Sequence, residues 1–164
     1  MEPIFINDFE INPDTNLGKM NMDWNYSNGF CFDDNGRVAI VYEKEKGYWC
    51  LPGGGKEAGE TPVETFLREV REEAQAEVNM DTLKYFHCVY GKGESILGFR
   101  FICKLKNIEE FIPNKIVNNF VSEIVEIKFV TLEELPNYIT WLKDTENGRD
   151  SFERLKDFVK YNGI

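Results

Sequence analysis

The chain has one histidine, His87, and four cysteines, Cys31, Cys50, Cys88 and Cys103, none of them in a C-x-x-C pair. A structural zinc site needs about four such ligands at close spacing, so that class is set aside. The thiols read as free and buried, in a reducing compartment. His87, in "KYFHCVY", reads as a strand histidine, packed or exposed, in preference to a catalytic one. Positive charge is also scarce: 19 Lys and Arg stand against 29 Asp and Glu, for a formal net charge of −10. So acidic a surface repels a phosphate backbone and argues against a broad nucleic-acid interface. It would repel a small phosphorylated substrate too, unless cations intervene, which points toward a metal requirement. No apolar run approaches the ~20 residues that span a bilayer. The N-terminal "MEPIFINDFEINPD" lacks a basic segment leading into an apolar one. A soluble, cytoplasmic chain without membrane association is the expectation. Repeats, low-complexity tracts and Pro/Ser-rich linkers are missing as well, which favours one domain over residues 1–164.

What is present is a core-forming composition, 42% hydrophobic with 13 phenylalanines among 164 residues, enough for a single buried core. "NGFCFDDNGRVAIVYEK" reads as a β-hairpin turning at Asp33-Asp34-Asn35-Gly36. A calcium loop there is rejected, because its first and last ligand positions would be Cys31 and Tyr42. Strands are expected around "GYWCL", over 84–90 and 96–105, and at "EIVEIKFV"; 106–120 reads as an excursion. Thr131 with Glu134 forms a capping box for a short helix that Pro136 limits. Asp150-Ser151 opens a last amphipathic helix, over about 151–161, with Phe152, Leu155, Phe158 and Val159 on one side. That helix caps the sheet or forms a homodimer contact; both readings stay open.

The best-specified element is the helix over 61–74. Thr61 is its N-cap, Pro62 suits the first helical position, and Glu64 completes a capping box. Val63, Phe66, Leu67, Val70 and Ala74 form an apolar stripe. Glu69, Glu72 and Glu73 share a face beside it, at i, i+3 and i+4. Like charges so close destabilise a helix unless Arg68, Arg71 or a hard divalent cation relieves them. A solvated acidic face would explain "EVREE" alone. Directly upstream, however, lies "LPGGGKEAGE", a glycine loop whose backbone can approach phosphate oxygens at the positive end of the helix dipole.

This segment resembles the signature of the Nudix hydrolases, G-x5-E-x7-R-E-U-x-E-E-x-G-U with U aliphatic. Gly54, Glu60, Arg68, Glu69, Val70, Glu72 and Glu73 fall at the required spacing within residues 54–76. The flanking pattern extends the likeness over roughly 27–143. Gln75 stands where the motif ends in glycine, and Ala76 where it has a larger aliphatic residue. The glycine position looks like a left-handed helix stop, so Gln75 either bears a strain of about 1–2 kcal/mol or the helix ends otherwise.

The resemblance implies an α+β fold, an α/β/α sandwich with a mixed sheet and the motif's loop-helix. It implies a hydrolase using Mg²⁺ or Mn²⁺ to cleave a diphosphate linkage in a small nucleoside diphosphate derivative. By similarity, Glu69, Glu72 and Glu73 bind metal directly or through water, and one of them helps to deprotonate the nucleophile. Glu60 is a supporting ligand, and Arg68 orients a glutamate through a bidentate ion pair. Gly53, Gly54 and Gly55 face the substrate, and the carbonyl of Gly54 or Gly55 completes the metal shell. A further acid outside the helix is expected at Glu123, with Glu126 second and Glu94 third. Trp24, Tyr26, Tyr48, Trp49 and Tyr90 are candidates to stack on a base, although each also reads as core. Where some subfamilies carry a diagnostic proline or tyrosine, this chain has Gly91 and Lys92, so no particular substrate is implied. The alternative is a nucleotide-sensing module of the same family that binds without turnover.

Overall fold

The computed structural model describes residues 24–90, 96–117 and 119–164. The elements run β1 (Tyr26–Phe32), β2 (Val38–Glu43), β3 (Tyr48–Cys50), β4 (Gly53–Gly55), α1 (Pro62–Glu73), β5 (Glu77–Tyr90), β6 (Ile96–Lys106), β7 (Ile116–Val117), β8 (Phe120–Val121), β9 (Ile124–Val130), α2 (Leu135–Tyr138), α3 (Trp141–Asp144) and α4 (Glu146–Asn162). Seven strands form a mixed sheet in the order β3-β2-β1-β6-β5, with β4 joined to β1 and β9 to β2. β1 and β6 are parallel, from Tyr26 opposite Gly98 to Phe32 opposite Lys104. β7 and β8 make a separate short pair that begins in the 106–120 excursion and ends at Val121.

The β1–β2 turn forms as its sequence requires. Asp33 Oδ1 accepts from the backbone N–H groups of Asn35 and Arg37, each at 2.9 Å, and Gly36 takes φ +74°. Asp33 is thus a turn-former, its carboxylate closed by Arg37.

Two apolar layers flank the sheet. On one face α1 buries Phe66, Val70 and Ala74 against Cys31, Phe99, Phe101 and Cys103. Phe66 stacks on Phe101 at 5.0 Å between centroids. Gly29 makes room for this: a Cβ there would sit 2.7 Å from both the Phe66 ring and the Phe101 carbonyl oxygen. Burying a ring of that size contributes about 1.5–3 kcal/mol. On the other face Phe30, Ile40, Ile102 and Val130 meet Leu135, Leu142, Leu155 and Phe158 from the last three helices. The layers are helix, mixed sheet, helix, as the resemblance implied. α4 covers the sheet through the same Leu155–Phe158 side identified in the sequence.

Three boundaries differ from expectation. The strand expected over 84–90 begins at Glu77, its early residues pairing with Leu105 and Lys106 of β6. α4 begins at Glu146, where Thr145 Oγ1 accepts from the Gly148 N–H at 2.9 Å, and not at Asp150-Ser151. Ser151 is instead buried in the helix, within 3.0 Å of His87 Nε2. The Thr131–Glu134 box forms with both reciprocal hydrogen bonds, but Pro136 lies in the first turn of α2 and does not end it. No helix among the described residues is long and apolar enough to cross a membrane.

Candidate active site

The site grows out of the loop that feeds α1. Thr61 Oγ1 accepts from Glu64 N–H, and Glu64 returns a bond to Thr61 N–H, so the helix starts where its capping box places it. Ser27 on β1 donates to the Pro62 carbonyl at 2.8 Å and ties that start to the sheet. Glycines 53–55 form β4 against residues 26–28 of β1. A side chain at Gly53 would collide with Asn28 and the Ser27 carbonyl, and one at Gly54 would come within 2.5 Å of Glu69 Oε1. The loop and the acidic face are therefore in direct apposition.

Arg68 organises the cluster. Its Nε and Nη2 hold the two oxygens of Glu60 at 2.8 and 3.0 Å, a bidentate pair. Nη1 reaches Glu69 Oε1 at 2.9 Å and Glu72 Oε2 at 3.2 Å, and Nη2 also donates to the Gly55 carbonyl at 2.8 Å. Glu60 accepts further bonds from the Glu57 N–H and Thr65 hydroxyl. Its hydrogen bonds to Arg68, more than any other cause, pull its carboxyl down to about 2. Both Glu60 oxygens and the Gly55 carbonyl are thereby engaged within the protein, which leaves Gly54 as the loop residue against Glu69.

Glu69 and Glu73 are in the opposite condition. Burial raises both carboxyls; for Glu69 the Arg68 charge opposes the shift, while for Glu73 the Glu69 charge adds to it. Their side chains share a hydrogen bond, and the Gly53 N–H donates to Glu73. Burial likewise raises Glu72, against Arg68. A cavity of about 180 Å³ opens beside them, lined by Glu43, Lys46, Gly53, Gly54, Glu69, Glu73 and Glu123. Glu123 is exposed at its mouth and hydrogen-bonded to Glu43, the main reason its carboxyl is raised.

Among the described residues no three Asp, Glu, His or Cys side chains already converge as a metal cage. The donor set nevertheless suits a hard cation. It consists of clustered carboxyl groups, two of them close enough to share a hydrogen bond and only partly balanced by Arg68, on one side of a small open cavity. Mg²⁺ keeps several waters and takes a few carboxylates, so an open half-shell fits it better than an all-protein cage would.

The small cavity runs into a larger one of about 830 Å³, sharing Glu43, Lys46, Gly53, Gly54 and Glu73 with it. Tyr26, Tyr48, Trp49, Tyr138, Trp141, Asn28 and Arg100 line the rest. Of the aromatic candidates, Tyr26, Tyr48 and Trp49 reach this space, whereas Trp24 is core, edge-on to Phe99. Trp49 packs edge-on against Tyr42 and Tyr138 at the cavity wall. Glu123 joins the acidic cluster; Glu126, exposed opposite Tyr42 on β9, does not line it. Glu94, Gly91, Lys92 and the Tyr90 side chain lie outside the described residues. His87 is buried, which with the nearby Arg100 charge holds its pKa well below the ordinary range, and it is held by Ser151 and by the Cys88 carbonyl. Cys31, Cys88 and Cys103 are free and buried, but Cys50 is half-buried at the cavity wall.

Sequence reasoning missed Glu43, Lys46, Asn28, Arg100, Tyr138 and Trp141. Glu43 and Lys46 carried one signal, an i, i+3 opposite pair that closes here at 2.8 Å. The others are brought in by strand pairing and by α2–α3.

Comparison with curated protein sequences finds no match. Solved structures give the fold. A NUDIX hydrolase from Nitrosomonas europaea superposes with a TM-score of 0.59 at 15% identity, over 83% of this chain and 89% of that one. The Bacillus subtilis pyrophosphohydrolase BsRppH gives 0.58 at 23% identity, over 80% of each chain. A C. elegans Ap4A hydrolase gives 0.58 at 14% identity, over 85% of this chain and 99% of that one. The family model of the NUDIX domain matches residues 28–154. The chain belongs to the Nudix family.

Proposed function

We propose that the protein is a hydrolase that uses Mg²⁺, or Mn²⁺ in its place, to cleave a diphosphate linkage in a nucleoside diphosphate derivative, by water attack at phosphorus. The observation that carries this reading is the apposition of the Gly54 backbone to the half-buried Glu69–Glu73 pair, at the junction of a small acidic cavity and a nucleotide-sized one. Divalent ions bound there would neutralise the diphosphate oxygens, polarise phosphorus and lower the pKa of a bound water.

The chain's own residues have distinct tasks. Glu69 and Glu73 would hold the metal, with Glu72 beside them and the Gly54 carbonyl completing the set. Arg68 fixes the direction of Glu69 and Glu72, and Glu60 fixes Arg68. Glu60 therefore acts by positioning more than by ligation, since its oxygens are already taken. Glu123, paired with Glu43 across the cavity, accepts the proton of the attacking water. The glycine loop lets the phosphates approach the backbone, and the aromatic wall shelters the nucleoside.

The test is a hydrolysis screen over nucleoside diphosphate sugars, dinucleoside polyphosphates and nucleoside triphosphates, with Mg²⁺ or Mn²⁺ and a chelator control. Release of mononucleotide that the chelator abolishes supports the reading. Tight nucleotide binding with no cleavage across the panel overturns it in favour of a sensing module.

A further inference from the structure

Resting on that reading and extending it, we propose that Arg100 forms a second anion subsite, taking a phosphate group borne by the nucleotide one sugar's breadth from the scissile diphosphate. Arg100 is only 6% exposed, yet it lines the large cavity. Its Nε donates to Asn28 Oδ1 at 3.0 Å, and its guanidinium lies 4.5 Å from the centre of the Trp141 ring. No carboxylate of the described residues lies within ion-pair distance of it.

A buried guanidinium with no counter-anion among the described residues is an unusual arrangement, because taking the charge out of water is costly unless a partner offsets it. Burial pushes its pKa down to about 10, opposed only by the Tyr26 phenol. The four N–H donors beyond Nε form a planar fork suited to two oxygens of one phosphate. Trp141 fixes the plane of that fork, and Asn28 fixes its rotation.

Strand pairing sets the distance. Arg100 is the register partner of Asn28, and Asn28 is the register partner of Gly53. Two strand spacings, on the order of 10 Å between backbones, thus separate β6 at Arg100 from the glycine loop, and the Arg100 side chain, bonded to Asn28 on the intervening strand, faces that loop across the cavity. A 2′- or 3′-phosphate, one ribose away from the 5′-phosphate, would fall between the loop and that guanidinium. The cavity is therefore bipolar: acidic where cations would bridge the diphosphate, cationic at the far end. A ligand anionic at both ends matches it. A keto base edge could meet the same fork but would leave the buried charge unneutralised.

The experiment measures binding, not turnover, with ligands that contain no diphosphate to cleave. Calorimetric titrations in Mg²⁺ compare adenosine 5′-monophosphate with adenosine 2′,5′- and 3′,5′-bisphosphate. The expected result is at least about tenfold tighter binding of one bisphosphate by the native protein. That ratio should fall toward one in Arg100→Met, and fall partway in Asn28→Ala and Arg100→Lys, which guard against misfolding of the first variant. Thermal melts establish which variants are folded. Equal affinities in the native protein, or a ratio that folded variants leave intact, would overturn the proposal. So would an Arg100-dependent preference for guanosine over adenosine 5′-monophosphate without any bisphosphate advantage, which assigns the fork to a base edge. An Arg100-dependent ratio with a negative hydrolysis screen would keep the subsite and discard the hydrolase reading; a positive screen with no ratio would do the reverse.

Discussion

The guanidinium of Arg68 closes on both carboxylate oxygens of Glu60, 2.8 Å from Nε and 3.0 Å from Nη2, and from that fixed position reaches Glu69 and Glu72. The pair gives the stability of the fold a pH signature. In the unfolded chain Glu60 takes up a proton near the ordinary 4.5; in the folded chain it resists protonation down to about 2. Its contribution is fully present above about 4.5 and is lost as pH falls from there through about 2. Denaturant unfolding at a series of pH values should show stability falling across that window, and Glu60→Gln should flatten the fall. A slope equal in both proteins would mean that other carboxylates carry it.

Removing Arg68 should be more severe. Arg68→Met leaves Glu60, Glu69 and Glu72 without their cation and should destabilise the metal-free protein by about 3 kcal/mol. Arg68→Lys should recover only part of this, because an ammonium cannot span both Glu60 oxygens. Chemical denaturation checks both values.

Glu73→Gln is expected to have the opposite effect on stability. Glu73 is hemmed in by protein, its carboxyl raised by burial and by Glu69. Neutralising it should stabilise the metal-free fold by about 1 kcal/mol, as replacement of strained functional groups commonly does. If the metal assignment holds, Mg²⁺ or Mn²⁺ should raise the melting temperature of the native protein and not that of this variant. Thermal melts with and without metal measure both effects in one series.

Gly54→Ala tests the close approach of loop and helix. The added methyl would stand 2.5 Å from Glu69 Oε1, so the carboxylate must swing away. Metal affinity, read by titration calorimetry, should fall about tenfold or more while the melting temperature of the metal-free protein changes little. Unchanged affinity would remove Gly54 from the site.

Gln75 explains how this chain manages without the glycine of the motif. It bears φ +52° and offsets that strain with its side chain: Nε2 donates to the Ile112 carbonyl at 2.7 Å, and Oε1 accepts from the Ile112 N–H at 2.9 Å. Gln75→Gly relieves about 1 kcal/mol of strain but loses two bonds of about 1 kcal/mol each. The net loss should be about 1 kcal/mol, and the Ile112 amide should exchange faster with deuterium.

Much of this could be read from local sequence. The Asp33–Gly36 turn, the Thr61–Glu64 box and the Glu69–Glu73 face each depend on residues within a few positions of one another, and each formed as read. Glu123 was also legible, as an acid just before a β-pattern. The parallel pairing of β1 with β6 was not, because nothing local indicates that Asn28 meets Arg100 72 positions away. Thr145 caps α4 although the polar Asp150-Ser151 resembles a helix start in sequence, because Ser151 turns inward to His87. The clamp between Gln75 and Ile112 escaped for the same reason: its partner lies 37 residues on, in a segment with no periodicity. Local chemistry marked the acidic cluster, while long-range topology supplied the walls of the cavity.

The most direct measurement compares kcat/KM for a cleavable nucleoside diphosphate derivative, at saturating Mg²⁺, between the native protein and Glu69→Gln, with folding of the variant checked by its melt. Loss of metal-derived stabilisation worth several kcal/mol predicts a fall of about 10²–10³-fold or more. Turnover in the folded variant within a factor of about two of native would contradict the assignment of this carboxylate cluster as the catalytic centre.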